Sequence, residues 1–316
     1  MQKAISNKRI LRILSLALVL LMTVGMLGVG VSAETASPLK GTSVTLGSEL
    51  AVNFYAEVKD TEAAAMTFRV NGTTQTIPVT QARHIEGNLY AFPCTIAPAQ
   101  ITQIIEATLS DSGNTYQTST SARAYADKLI ASRQWDKLAA ADIMVATLNY
   151  GAAAQNYFGY NTENLANSGY EKPAEITIPE ADTSNMVSGS AQGISVYGAT
   201  LVIQSRIAVR FYFTVSGNIE DYTFSAGEAP VLKNGLYYVE IPDINPQDYD
   251  KDITLTVNDT LSVTYSPMDY ISRMYHKTEN AQLKDLLSQL YQYHLTAVDY
   301  LADPYGNDLD NIVSAQ

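Results

Sequence analysis

Two segments 157 residues apart carry nearly the same text. ELAVNFYAEV runs from Glu49 to Val58, and RIAVRFYFTV runs from Arg206 to Val215. Three more blocks recur in the same order. GNLYAFPC (Gly87 to Cys94) matches NGLYYVEI (Asn234 to Ile241), with Leu89-Tyr90 on Leu236-Tyr237. IEATLSDSGNTY (Ile105 to Tyr116) matches ITLTVNDTLSVTY (Ile253 to Tyr265), and SARAYADKLI matches SPMDYISRMY with Tyr125 on Tyr270. Further on, NYGAAAQNYF aligns with QYHLTAVDYL, placing Tyr150, Ala154 and Tyr157 on Tyr293, Ala297 and Tyr300. The spacing drifts from 157 to 143, as loops shortening in a second copy would produce. Ordered repetition at a long period reads as a diverged tandem duplication, so the chain is expected to fold as two like modules.

Each module opens with strand signals. Ser43 to Leu46, Leu50 to Val58, Met66 to Val70, Thr73 to Val79 and Gly87 to Cys94 are rich in β-branched and aromatic residues. Asn71-Gly72 is a type I′ hairpin signal, because both central residues of that turn need positive φ. Ile104 to Leu109 and Thr115 to Thr118 flank a second turn. Short strands at this spacing predict a β-sandwich-like fold. The period then changes. Ser121 caps a helix to about Ser132, and a second helix runs from about Asp136 to Phe158. In the second copy Ser266-Pro267 starts a helix, and Leu283, Leu286, Leu290, Tyr293, Ala297 and Tyr300 form the stripe of another, from about Asn280 to Leu301. The fold class is therefore α+β: two tandem copies of a β-sandwich-like module, each followed by a helical hairpin. Module 1 covers 38–167 and module 2 covers 194–303. The Pro-, Ser- and Gly-bearing stretch 168–193 reads as a linker, and 304–316 as a polar tail.

Residues 1–33 read as a secretory signal peptide. Lys3, Lys8, Arg9 and Arg12 precede an uncharged apolar run, Ile13 to Val31, that ends in Val31-Ser32-Ala33. Cleavage there removes four of the 20 basic residues and none of the 32 acids, leaving a net charge of −16. Such a chain is repelled by nucleic acid and anionic membranes. The expected location is secreted or extracellular, with cell-surface association.

The phrase LNYGAAAQNYFGYNTENLAN, Leu148 to Asn167, resembles a repeat module of secreted and surface proteins of Gram-positive, mainly clostridial and ruminococcal, bacteria. The resemblance covers about 40–167 well and about 195–303 faintly, and it implies no assigned activity. In the second copy His294 stands for Gly151 and Leu295 for Ala152. The phrase has two readings. Tyr150 and Tyr157 could line a ligand site. Alternatively, Gly151 and the alanines strip bulk from a helix that packs close against a sheet, with Tyr150, Ala154 and Tyr157 on the contact face. The packing reading accounts for the small residues as well, and is the expectation carried forward.

Sequence motifs for chemistry are absent. His84, His276 and His294 form no spaced metal pair, and there is no GxSxG elbow, P-loop or dinucleotide fingerprint. His276 falls at a helix C-terminus, where a cation suits the dipole. DYDKD, Asp248 to Asp252, lacks the glycine and glutamate of a calcium loop and reads as a solvated turn. Cys94, the lone cysteine, aligns with Ile241 and reads as a core residue. No catalytic, cofactor-binding or metal-binding residue is assigned, and no cofactor. The expected role is a non-enzymatic structural or interaction protein whose partner is an extracellular protein or glycan. Two alternatives stay open. One is an extracellular carbohydrate-binding protein, raised by the 21 tyrosines; the other is a secreted glycan hydrolase, raised only by secretion and the many acids.

Overall fold

Turn chemistry sets the strand boundaries. The computed structural model describes residues 18–22, 37–132, 138–173, 176–181 and 186–302. The first half carries β1 (Leu18–Met22), β2 (Leu39–Leu46), β3 (Leu50–Glu57), β4 (Ala65–Val70), β5 (Thr73–Pro78), β6 (Arg83–Glu86), β7 (Leu89–Ile96), β8 (Ile105–Asp111) and β9 (Asn114–Thr120), then helices α1 (Ala122–Ser132) and α2 (Leu138–Phe158). The second half carries β10 (Val187–Gly189), β11 (Ile194–Ile203), β12 (Ile207–Val215), β13 (Val231–Lys233), β14 (Leu236–Ile241), β15 (Ile253–Val257) and β16 (Leu261–Tyr265), then α3 (Pro267–Lys277) and α4 (Ala281–Ala302). Asn71 and Gly72, between β4 and β5, have φ of 46° and 79°. Asn234 and Gly235, between β13 and β14, have φ of 52° and 81°. Both pairs are the left-handed residues that tight hairpins need.

The described residues form a mixed α and β chain with four antiparallel sheets and four helices. The sheet orders are β1-β2-β3-β7-β6, β5-β4-β8-β9, β11-β12-β14-β13 and β10-β16-β15. In the first half, two sheets meet where Phe54 on β3 lies 5.2 Å from Phe68 on β4, ring centre to ring centre. In the second half, Phe213 on β12 lies 5.5 Å from Phe224. Phe224 itself bridges to Val257 on β15. Phe54, Phe68, Phe92, Phe211 and Phe213 are all buried. Each such side chain contributes roughly 2 kcal/mol by leaving water.

Helix starts follow the sequence. The Ser121 hydroxyl accepts from the Ala124 amide at 3.0 Å. Ser266 and Asp269 form a reciprocal capping box ahead of α3, with Pro267 in the first turn. The Asn280 side chain accepts from the Leu283 amide at the start of α4. Three strands carry no sequence signal: β6, β10 and β13 are exposed along their whole length. They are edge strands, placed by a neighbour's backbone rather than by burial of their own side chains. β10 lies inside the stretch read as a linker and pairs with β16. Nearby, Ser272 donates to the Pro179 carbonyl at 2.6 Å.

The two halves touch. Ile207 donates its amide to the Ser48 carbonyl, and the Ser48 amide bonds the Asn245 side chain, both at 3.1 Å. α2 and α4 lie side by side and form the largest helix contact among the described residues. Leu18–Met22, from the apolar run 13–31, pairs antiparallel with β2, from Leu18 opposite Leu46 to Met22 opposite Thr42. The rest of segment 1–33, read above as a signal peptide, the start of the second helix near Asp136 and the tail 304–316 lie outside the described residues. Among the described residues no helix is long and apolar enough to cross a membrane.

Candidate functional site

The phrase NYGAAAQNYFGYN forms the second half of α2 and the turn after it. Gly151 sits where a side chain would collide. A Cβ there would stand 2.5 Å from Ile101 Cδ1, 3.0 Å from the Pro98 carbonyl oxygen and 3.2 Å from the Ala166 Cβ. Ala152, Ala153 and Ala154 are buried as well. The expected neighbour was a sheet; the neighbours found are α4, α1 and the 98–101 turn. α2 is enclosed on nearly every side from Leu148 to Gln155. The helix is thus a central element, and its small residues admit other backbones at short range.

Gln155 is the hub of this region, with no exposed surface. Its amide nitrogen donates to the Thr102 hydroxyl (3.3 Å) and to the carbonyls of Asn161 (3.3 Å) and Asn164 (3.0 Å). Its carbonyl accepts from the Ala166 amide at 2.7 Å. Asn161 reaches the same Thr102 hydroxyl, and Asn167 donates to the Asn149 side chain, both at 2.9 Å. Arg123 on α1 completes the ring, donating to the carbonyls of Ala166 and Ser168. Gly159, at φ +64°, ends the helix so that the chain turns back into this network. The motif asparagines and glutamine therefore tether the loop 159–168 onto α2 and the turn at Thr102, and Arg123 ties it to α1. Sequence reasoning assigned none of them; the available signal was a glutamine inside an otherwise apolar helical run.

The tyrosines divide. Tyr150 stacks on Tyr293 of α4, with ring centres 5.7 Å apart and planes 14° apart. Both are buried, and burial pushes each phenol's pKa up. Tyr157 is half-buried and packs edge-on against Phe158. The Tyr150 face is an inter-helix contact, with a crevice of only about 20 Å³ beside it. His294, in the place of Gly151, donates Nδ1–H to the Pro246 carbonyl at 2.7 Å and lies face to face with Tyr249.

Other residues singled out in the sequence fall apart from this seam. Cys94 is buried on β7 opposite Val52, and burial pushes its thiol up to about 12. A thiol reagent at pH 8 should therefore leave native Cys94 unlabelled, while denaturant exposes one reactive thiol per chain. Timed labelling with and without denaturant checks this. His84 contacts the Gly87 carbonyl and His276 the Ile178 carbonyl, both through Nε2. In the Asp248 to Asp252 run Lys251 pairs with Asp248, while Tyr249 between them is fully buried. Among the described residues no cluster of three His, Cys, Asp or Glu side chains has the arrangement of a metal site. Asp142, Glu171 and Asp299 line an open groove of about 760 Å³ beside α2 and α4.

One charged cluster had no sequence signal. Glu240 on β14 is buried and takes bonds from Arg206 (2.5 Å) and Arg210 (2.6 Å); Arg206 also holds Glu228 at 2.8 Å. Burial is the largest influence on Glu240 and alone would raise its pKa. The bonds and charges of Arg210 and Arg206 outweigh it, and the net shift is downward. A lowered folded-state pKa stabilises the protein above the unfolded value, and that stabilisation is lost as pH falls through the folded value. Melting temperature should therefore drop on acidification below about 4.5, the ordinary glutamate value. Asp111, which accepts from the amides of Lys59 and Asp60, adds a loss of the same sign. Glu240→Gln should flatten part of this acid limb in melts taken between pH 6 and 3. Next to this cluster, Tyr212 and Tyr238 face each other across β12 and β14 with ring centres 5.6 Å apart, and the Arg210 guanidinium lies 4.6 Å from the Tyr238 ring.

No protein-family model matches the chain, and no curated protein matches it.

Proposed function

We propose that this chain is a secreted or cell-surface, non-enzymatic structural and interaction protein. On this reading it is a tandem pair of diverged β-sandwich-like modules, 38–167 and 194–303, each closed by a helical hairpin and joined through α2 and α4. It belongs with the repeat module of Gram-positive surface proteins that Leu148 to Asn167 resembles. Its partner is an extracellular protein or glycan.

The observation that carries this reading is the fate of α2. The stretch whose composition best suited a ligand site is used up in packing and tethering: Gly151 against Pro98 and Ile101, Tyr150 against Tyr293, Gln155 against the 161–166 loop. Strand registers support the duplication. Cys94 stands opposite Val52, and Ile241 opposite Val209, as the alignment of the two texts requires. Leaving β1 aside, the order β2-β3-β7-β6 corresponds to β11-β12-β14-β13, whereas β5-β4-β8-β9 and β10-β16-β15 differ in strand number and neighbours. Gly151 approaches the Pro98 carbonyl, and its counterpart His294 bonds the Pro246 carbonyl.

Two experiments test the reading. Expressed in a Gram-positive host, the chain should leave the cytoplasm with Glu34 as its N-terminal residue; retention with Met1 intact would remove secretion from the account. On a glycan array, the Tyr212→Ala and Tyr238→Ala variants of the protein should give the same profile as the parent. The carbohydrate-binding alternative draws on the half-buried Tyr212 and Tyr238 beside Arg210. Glycan binding lost on Tyr212→Ala or Tyr238→Ala would move the assignment there.

A further inference from the structure

We propose that the seam between the two halves holds one structural water molecule, bound by the hydroxyls of Tyr150, Tyr249 and Tyr293. Three elements meet at this point: α2 brings Tyr150 and Thr147, α4 brings Tyr293, and the turn after β14 brings Tyr249. The Tyr150 and Tyr249 rings are 3% and 0% exposed. Neither hydroxyl has a hydrogen-bond partner within the protein. A buried phenol without a partner is costly, on the order of 1–3 kcal/mol. Two such groups at one seam therefore call for a common ligand.

The space fits water and little else. A crevice lined by Tyr150, Tyr249, Tyr293, Thr147, Leu50 and Pro98 leaves about 20 Å³ of room for the centre of a water molecule. One water needs roughly 10–15 Å³ of such room and two to four polar partners.

The hydrogen bonds also balance. The Thr147 hydroxyl donates its one hydrogen to the Ile143 carbonyl at 2.7 Å. Thr147 therefore offers the crevice only lone pairs, while the Tyr293 phenol oxygen has a lone pair for the water. A water between the three rings accepts from Tyr150 and from Tyr249 and donates to Tyr293. That makes three bonds, the usual number for a buried water. The Tyr150 and Tyr293 rings are 5.7 Å apart, and Tyr249 lines the same crevice. Such a water would tie α2 of one half to Tyr249 and α4 of the other.

A crystal structure of the protein at about 1.5 Å resolution tests this, together with melting curves of Tyr150→Phe and Tyr249→Phe. The expected result is a solvent peak about 2.7–3.2 Å from both oxygens. Each Phe variant should melt about 2–4 °C lower, because the water loses one of its bonds. A dry crevice, or the two hydroxyls bonded directly to each other, would overturn the proposal. So would Phe variants that melt higher than the parent, since that is the response of hydroxyls that have no partner to lose.

Discussion

Gln155→Leu should be among the most damaging single substitutions in the chain. The side chain is wholly buried, and leucine fills similar volume, so the effect isolates the polar contacts. Leucine would strand the Ala166 amide and the carbonyls of Asn161 and Asn164, and it would remove a partner from Thr102. Each buried group left unpaired costs about 1–3 kcal/mol, and water reaching the loosened loop recovers part of that. A net loss of about 3–4 kcal/mol is expected, which is about 10 °C in melting temperature for a chain of this size. Asn156→Ala, at the next position, is the control. Asn156 is only half-buried, and its change should stay within about 0.5 kcal/mol. Urea titrations of both variants check the contrast; equal, small shifts would mean that the 159–168 loop is not held by Gln155.

Gly151→Leu should rival it by a different route. Overfilling a packed interior usually costs about 1–3 kcal/mol. The upper end is expected, because one obstructing atom is the Pro98 carbonyl oxygen, a backbone atom that cannot rotate away. Ile101→Ala should recover part of the loss, since Ile101 Cδ1 is the nearest obstruction at 2.5 Å. Gly198→Ala, where an added Cβ meets nothing within 4 Å, should be nearly silent. Thermal melts of the single and double variants give the answer, and full tolerance of leucine at 151 would remove the close approach from the account.

Much of this architecture was legible because core positions repeat. The strand text AV-FY places Val52 and Phe54, like Val209 and Phe211, on inward faces. The Asn-Gly turns and the Ser266-Pro267 helix start are local chemistry that the sequence states directly. What was not legible depends on partners far along the chain. The face of Tyr150 was visible in the helical period, but a period does not say which element covers it, and the cover is α4 rather than a sheet. Glu240 looked like one acid among many. It becomes a paired, buried charge only when β12 brings Arg210 beside it and the chain just before β12 brings Arg206. Tyr249 sits in an acidic run that reads as solvated, yet its ring is carried into the seam while Asp248 and Lys251 stay outside.

The central claim is that α2 is a packing element joining the two halves into one cooperative unit. Native-state hydrogen exchange on Gly151→Leu tests it most directly, read by mass spectrometry on peptides from both halves. If the claim holds, protection should fall on β3 and α2 and also on α4 and β12, by similar free energies. Lost protection confined to residues 38–167, with α4 and β12 exchanging as in the parent, would contradict it.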